Sequence, residues 1–115
     1  MRPPRFRTRS LMIATVLLAL TMAAGRAWQH WQVCRERAEH HSSQERIYRA
    51  FAEAAAQRAA LIDGGAEGVE RWEKFARQCW ARTVAHATCK RNFDRAASRF
   101  WLPVPADSGV PYAAD

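Results

Sequence analysis

The sequence predicts an all-α protein, in which an N-terminal transmembrane helix leads into an antiparallel two-helix hairpin and an irregular C-terminal tail. Three observations predict this fold. An uncharged apolar run lies near the N-terminus, small and apolar residues recur at steps of three and four beyond it, and a single glycine cluster interrupts that pattern. Ala and Arg are the commonest residues, which is a helical composition. The expected segments are a basic N-terminus (1–10), an anchor (11–28), a hairpin (29–101, with helices over about 10–62 and 67–101) and a tail (102–115).

The apolar run covers residues 11–24 and carries no charge. A run this short suits a signal-peptide core, whereas a membrane span usually needs about 20 apolar residues. The chain continues without a helix breaker, however, and Trp28 and Trp31 are typical of a membrane interface. Counted over residues 10–28, the segment is long enough for a thin bilayer. We therefore expect an uncleaved single-pass anchor that contacts membrane lipid through residues 11–28, with secretion after signal cleavage as the alternative.

Arginines around the run predict its orientation. Four precede it within ten residues, and Arg26, Arg35 and Arg37 follow it within a comparable distance. Positive charge accumulates on the cytoplasmic side of a membrane. We therefore expect a protein of the cell membrane, with its N-terminus in the cytoplasm and its hairpin outside the cytoplasm. The redox environment of the cysteines depends on this orientation.

The charge of residues 26–100 is moderately basic, with 14 basic and 9 acidic residues. They are interspersed at helical spacing, which is typical of a solvated helix face. No basic cluster carries a nucleic-acid reading motif, so nucleic acid is not an expected partner. A basic adaptor for anionic lipid or polymer stays open as a second alternative function.

A weak internal repeat relates residues 34–52 to residues 79–97 at an offset of 45. The repeat contains five identities over 19 positions, where composition alone predicts one or two. It also aligns Tyr48 with Phe93. The identical pairs are Cys34 and Cys79, Arg37 and Arg82, His41 and His86, Arg46 and Arg91, and Ala52 and Ala97.

Both copies carry the alternating steps of three and four that mark the contact seam of packed helices. The first seam comprises Trp31, Cys34, Ala38, His41, Glu45, Tyr48, Ala52, Ala55, Ala59 and Ile62. The second comprises Val69, Trp72, Ala76, Cys79, Thr83, His86, Lys90, Phe93, Ala97 and Phe100.

The sequence IDGGAEG separates the two seams and predicts the turn of the hairpin. Gly64 and Gly65 are expected to supply the positive φ that ends a helix. Folding the chain at this point pairs residues whose numbers sum to about 127. The expected pairs are His41 with His86, Tyr48 with Cys79, and Cys34 with Phe93.

An aromatic cluster is expected at the membrane-proximal end of the hairpin, where Phe100 and Trp101 return to Trp28 and Trp31. Pro103 then stops the second helix and leaves an irregular, mobile tail. The candidate interface and core residues are Trp28, Trp31, Cys34, His41, Tyr48, Trp72, Cys79, His86, Phe93, Phe100 and Trp101.

Both ends of the chain resemble a group of short, uncharacterised bacterial single-span membrane proteins. FRTRSLMIATVLLAL is similar to their basic R-F-R-x-R-[TS]-L-M-I-A start, and HATCKRNFDRAASRFWLPVPADSGVP to their K-[YF]-x-R-A-A and W-L-P-V-x-P-D ends. The likeness covers roughly residues 5–20 and 86–111. Phe100 stands where that group usually has Pro, and residues 106–109 depart from its tail motif. The resemblance implies an anchored helical protein and brings no catalytic residue or cofactor with it.

Metal or thiol chemistry is the sharpest alternative to a structural role. His41, His86 and Cys89 are the candidate ligands, because Cys79 and Cys89 lie about 15 Å apart along one helix and cannot share an ion. Paired C-x2-C motifs are absent, and so are a haem-attachment motif, a nucleophile elbow and a phosphate-binding loop. We therefore expect no enzyme activity, no cofactor and no resident metal.

The three cysteines are expected as buried, unreacted thiols. A Cys34–Cys89 disulfide would need a shift of the hairpin register, and an intermolecular bond would suit a homodimer. The facing histidines predict a pH effect, since protonation of His41 and His86 below about pH 6.5 places like charges in one layer and loosens the hairpin. The function expected from the sequence is a membrane-anchored interaction or structural module, with homo-oligomer formation and the identity of a protein partner left open.

Overall fold

The computed structural model describes the backbone of residues 5–61 and 65–107, and side chains from residue 8. Two helices make up nearly all of it: α1 spans Arg5–Leu61 and α2 spans Ala66–Ala97. They pack against each other in opposite directions, because residues met in order along α1 contact residues met in reverse order along α2. Cys34 packs with Phe93, His41 contacts His86, and Arg58 lies over Trp72. The all-helical prediction is confirmed and the hairpin arrangement agrees with it. The 57 residues of α1 correspond to about 86 Å of continuous helix.

The N-terminal part of α1 is apolar and uncovered. Its most apolar 18-residue window has a mean hydropathy of 1.6, and none of that window is buried. Leu11, Ile13, Leu17 and Leu18 are all more than half exposed. By length and composition this helix can cross a membrane, although a signal sequence near the N-terminus has the same properties. The helix continues unbroken from this segment into the hairpin.

The start of α2 corrects one prediction about the turn. Gly65 precedes the helix with φ −38° and ψ 162°, which is not the left-handed conformation expected of it. Its carbonyl instead accepts the first hydrogen bond of the helix from Gly68 N–H, at 2.9 Å. The negative charge of Glu67, in the first turn, interacts favourably with the positive N-terminal end of the helix dipole. Gly64, the other predicted turn residue, lies outside the described residues.

Small side chains, cysteines and histidines form the seam between the helices. Every buried residue of α1 lies on the predicted seam: Cys34, Ala38, His41, Ala52 and Ala55. The buried residues of α2 are Ala76, Cys79, Thr83, His86, Cys89, Phe93 and Ala96. Cys89 and Ala96 thus take the places predicted for Lys90 and Ala97. The largest fully buried side chain is Phe93, which packs with Cys34, Ala38, Cys89 and Ala96 in one cluster.

The C-terminal end of α2 also differs from the prediction, because the helix ends at Ala97 and not near residue 101. Ser98 N–H donates to Asp94 O, Arg99 N–H to Ala96 O, and Leu102 N–H to Arg99 O, so the chain makes successive turns before Pro103. His30 Nε2–H donates to the Leu102 carbonyl at 2.8 Å and fixes this turn on α1.

The tail then runs back along α1, away from the apolar segment. The Asp107 carboxylate contacts Arg37 at 3.5 Å and His41 at 3.1 Å, so residues 102–107 are irregular but fastened at both ends. The predicted irregular conformation is found for residues 102–107, the mobility of the tail stays a prediction, and residues 108–115 lie outside the described chain. The Asp107 carboxylate is also near enough to Cys89 to contribute to the raised pKa of that buried thiol.

Candidate functional site

Four aromatic rings from alternating helices stack at the centre of the seam. Phe93 of α2 stacks on His41 of α1 with ring centroids 5.5 Å apart. His41 contacts His86 of α2 at 5.2 Å, and Tyr48 of α1 stacks on His86 at 5.4 Å. The two histidines are 4 % and 6 % exposed, so this central layer is polar, aromatic and shielded from solvent. We call these four residues the ring stack.

A guanidinium group covers each end of the ring stack. Arg37 lies 5.8 Å from the ring centroid of Phe93, and Arg82 lies 5.3 Å from that of Tyr48. Arg82 also donates to the Tyr48 hydroxyl at 3.3 Å. Cation–π contacts of this kind shield the rings from water while each guanidinium stays partly hydrated.

The ring stack explains the internal repeat as a local twofold relation. Arg37 of the first copy covers Phe93 of the second, and Arg82 of the second covers Tyr48 of the first. An antiparallel pair of similar helices is related by a twofold axis, and here that axis passes between His41 and His86. Each histidine, at equivalent positions of the repeat, therefore meets the other through its Nδ1 atom, at 2.9 Å.

Asp107 breaks this twofold relation and orders the protons of the site. The His41 Nε2–H group donates to the Asp107 carboxylate at 3.1 Å, which leaves the Nδ1 atom of neutral His41 as an acceptor. The His86 Nδ1–H group can then donate to it across the 2.9 Å contact. With both rings neutral, every contact in the chain from Asp107 through His41 to His86 joins one donor to one acceptor.

The same geometry accommodates one additional proton but not two. If His41 carries the proton, its Nε2–H still faces Asp107 and its Nδ1–H donates to a lone pair of His86. A second proton would direct two Nδ1–H groups at each other across 2.9 Å, with two like charges in contact. The pair is therefore a site for a single proton, with a carboxylate on one side.

The electrostatic surroundings of His86 agree with this conclusion. Burial lowers the pKa of His86 from its ordinary value of 6.5, and the neighbouring His41 lowers it further. More distant groups make smaller contributions: His40 and Arg82 lower this pKa, and Glu45 raises it. The remaining groups around the ring are Tyr48, which stacks on it, and Asp107, which reaches it only through His41. His86 therefore stays neutral to lower pH than an exposed histidine.

All three cysteines are buried free thiols. Burial is the main cause that raises the pKa of each thiol above 9.0, and Asp107 raises that of Cys89 further. Arg37 and Arg82 partly oppose this effect at Cys34 and Cys79. The Cys34 sulfur lies 4.0 Å from His30 Nδ1 and 3.9 Å from His30 Nε2, so it contacts the imidazole ring without being directed at either nitrogen. A thiol in such surroundings is a poor nucleophile.

Metal binding by His41, His86 and Cys89 stays an untested alternative. In the part of the chain from residue 8 to 61 and from 65 to 107, no three His, Cys, Asp or Glu side chains are arranged to hold an ion. The Nδ1 atoms of the two histidines are directed at each other. A shared ion would need both lone pairs directed at the metal.

The aromatic residues at the ends of the hairpin depart from the prediction. Trp28 stacks on Trp31 at 5.2 Å, and Phe100 contacts Trp101 edge to face at 5.2 Å. No ring contact joins the two pairs within residues 8–61 and 65–107, so the expected four-membered cluster does not form. Trp28, Phe100 and Trp101 are each more than half exposed and do not belong to the core. The early end of α2 explains this, since Phe100 and Trp101 leave the seam.

Of two further predicted pairs, one forms as expected and the other does not. Cys34 and Phe93 share one buried cluster, as expected. Tyr48 meets His86 and Arg82, whereas the prediction paired it with Cys79. Helical side chains lean towards the N-terminus of their own helix, which carries the long Tyr48 side chain to the level of His86. Trp72 is half-buried and lies under the Arg58 guanidinium at 5.3 Å.

Sequence reasoning missed Asp107, whose carboxylate contacts His41. It follows a proline-containing segment with no periodic pattern, so nothing in its local sequence indicates which part of the hairpin it contacts. The sequence did contain a weak indication. Buried histidines need a hydrogen-bond acceptor, and the tail contains two acidic residues, of which Asp107 is one.

The chain matches no family model, no curated protein and no solved structure.

Proposed function

We propose that this protein is a membrane-anchored helical module that acts by association with another protein or a second copy of itself, with its hairpin outside the cytoplasm. The observation that carries the proposal is the continuity of α1. An apolar, unburied segment of membrane-spanning length runs without a break into the helix that forms half of the hairpin. A rigid connection of this kind fixes the height and direction of the hairpin at the membrane surface.

The surface of the hairpin supports association. Ile47 and Phe51 lie one turn apart on α1 and are 47 % and 52 % exposed. Trp80 and Val84 lie one turn apart on α2 and are 44 % and 62 % exposed. Large apolar side chains displayed in pairs on both helices are a common property of protein contact surfaces. The small residues of the seam give the isolated hairpin a thin core, so association would also add stability.

The anchor is tested on the full chain expressed in a bacterial membrane. Alkaline carbonate extraction should leave the protein in the membrane pellet, and its intact mass should include the N-terminal segment. Protease added outside the inner membrane should digest the hairpin and spare the N-terminus. If the protein is instead recovered in soluble form with its N-terminus near Gly25, the segment is a cleaved signal sequence and not an anchor.

Association is tested with pairs of fluorophore-labelled copies in vesicles at decreasing protein-to-lipid ratio. Energy transfer above the level of random proximity supports self-association, and a variant with Ile47→Ser and Phe51→Ser, or Trp80→Ser and Val84→Ser, should reduce it. Gln57→Ser and Gln78→Ser are matched controls on exposed positions of the same helices.

Native mass spectrometry of the purified chain tests the metal-binding alternative, since a metal ion bound at a stoichiometric ratio would favour it.

A further inference from the structure

The turn that follows α2 places two exposed aromatic side chains beside the apolar segment of α1. Phe100 and Trp101 line a shallow groove whose other side is formed by Ala19, Met22, Ala23, Arg26 and Ala27 of α1. Arg26 is the first charged residue after the apolar run, and Ala19 lies about 10 Å from it along the helix. The aromatic pair therefore lies at the level where the apolar segment ends, between Ala19 within it and Arg26 just after it.

The backbone makes this pair the tip of a turn. Up to Ala97 the chain of α2 runs towards the apolar segment. After Trp101 it reverses: His30 holds the Leu102 carbonyl, and Asp107 reaches His41, which is about 16 Å further from that segment along α1. Both arms of the turn are fastened to the hairpin, so Phe100 and Trp101 project at its end.

The exposure of these side chains has no explanation within the hairpin. Phe100 is 63 % exposed and Trp101 is 67 % exposed, although the ring stack lies only two turns of α2 away. The exposed residues next to them in sequence include Arg95 and Arg99. Aromatic rings with arginines behind them are typical of protein segments at the boundary between lipid headgroups and acyl chains.

We propose that Phe100 and Trp101 insert into the lipid bilayer beside the membrane-spanning part of α1, so that the hairpin is fastened to the membrane through both of its helices. The occupant of this surface is lipid, because the exposed aromatic pair adjoins the exposed apolar face of the span at the end of the span nearest the hairpin. The inference rests on the proposed membrane anchor. A second attachment would hold the hairpin upright on the membrane and limit its tilt about a single helix.

The proposal is tested by fluorine NMR on the full chain, labelled with 5-fluorotryptophan and reconstituted in lipid nanodiscs. Trp101→Phe, Trp80→Phe and Trp28→Phe assign three resonances by loss of one signal each. A nitroxide attached to lipid acyl chains should broaden the Trp101 signal as strongly as that of Trp28. A water-soluble gadolinium chelate should broaden the signal of Trp80, which is on the middle of the hairpin, and spare Trp101.

Each other outcome would overturn the proposal. Broadening of Trp101 by the soluble chelate would place it in water, and protection from both probes would mean that protein covers it. Co-flotation of the protein with vesicles at alkaline pH is measured in parallel and reports on the anchor alone. Retention in the membrane with a water-exposed Trp101 would reject the second attachment and leave the proposed function standing, whereas loss from the membrane would reject both.

Discussion

The Nδ1 atoms of His41 and His86 lie 2.9 Å apart in the buried centre of the hairpin, although 45 residues separate them in the sequence. A contact of this length forms in only one register of the two helices, since a shift by one turn moves a side chain by about 5.4 Å. Much of the remaining seam consists of alanines, which pack almost equally well in several registers. We therefore expect the polar pair to select the register, as single buried polar residues do in coiled coils.

We expect the hairpin to be less stable in mild acid. The pKa of His86 is held below 6.5 by burial and by His41, so the unfolded chain takes up this proton first as the pH falls. The stabilisation is complete above pH 6.5 and decreases as the pH drops below that value. The melting temperature of the full chain in detergent micelles, followed by circular dichroism, should be lower at pH 5 than at pH 7.5.

Two variants separate this effect from the other titrating groups. His86→Gln should reduce the dependence of the melting temperature on pH, because the buried group with the lowered pKa is gone. His40→Gln, at an exposed position beside the same site, should leave that dependence nearly unchanged. Equal slopes for the wild type and His86→Gln would contradict the assignment to His86.

Asp107→Asn should release the tail and weaken the hairpin. The substitution removes the charge that Arg37 and His41 contact, and because Asp107 is 40 % exposed we expect a loss of about 1 kcal/mol in the free energy of unfolding. Backbone 15N relaxation should show faster motion of residues 103–107. Asp94→Asn is the matched control, since its exposed carboxylate has no ion pair within residues 8–61 and 65–107. Unchanged relaxation in Asp107→Asn would show that other contacts hold the tail.

Phe93→Ala should be the most damaging single substitution in the ring stack. Phe93 is fully buried and packs on His41, so its truncation leaves a cavity in a core that has few other large side chains. Such truncations usually lower the free energy of unfolding by about 3–5 kcal/mol. Because the hairpin is small, we expect a loss of this size to be enough to unfold it. Phe75→Ala, at a 43 % exposed position of the same helix, should cost far less in a urea titration. Similar losses for both would mean that Phe93 is not the centre of the core.

The three thiols should resist alkylation in the folded protein. Each is buried, and burial raises the pKa of each, which lowers the fraction of reactive thiolate at neutral pH. Mass spectrometry after a timed reaction with iodoacetamide should find all three unmodified in micelles and all three modified in urea. Rapid modification of one cysteine without denaturant would identify a reactive thiol and revive the thiol-based alternative.

The sequence predicted the helical parts of this fold because their periodicity is long and uninterrupted. Two helices of 57 and 32 residues give many repeats of the seam pattern, and the glycine cluster marks the place between them. The contact between His41 and His86 followed from the hairpin register alone. Local sequence and short-range geometry decide these features, so they can be read without coordinates.

The parts that could not be predicted depend on the chain after α2. The position of Asp107 follows from the turn at residues 98–102 and from the hydrogen bond between His30 and Leu102, which no periodic pattern encodes. The exposure of Phe100 and Trp101 follows from the same turn, since one more helical turn would have returned Phe100 to the seam. Irregular segments take their conformation from tertiary contacts, which a single sequence does not display.

A double-mutant cycle between His41 and His86 tests whether the two rings stabilise each other. Because they share one hydrogen bond and a ring contact, we expect a coupling energy of about 0.5–3 kcal/mol at pH 7.5 for the Gln substitutions, measured by urea unfolding. The cycle between His40 and His86 is the control and should give a much smaller coupling, because His40 is exposed and its ring contacts His41, not His86. A His41–His86 coupling no larger than this control would show that the two histidines are tolerated side by side and do not set the register.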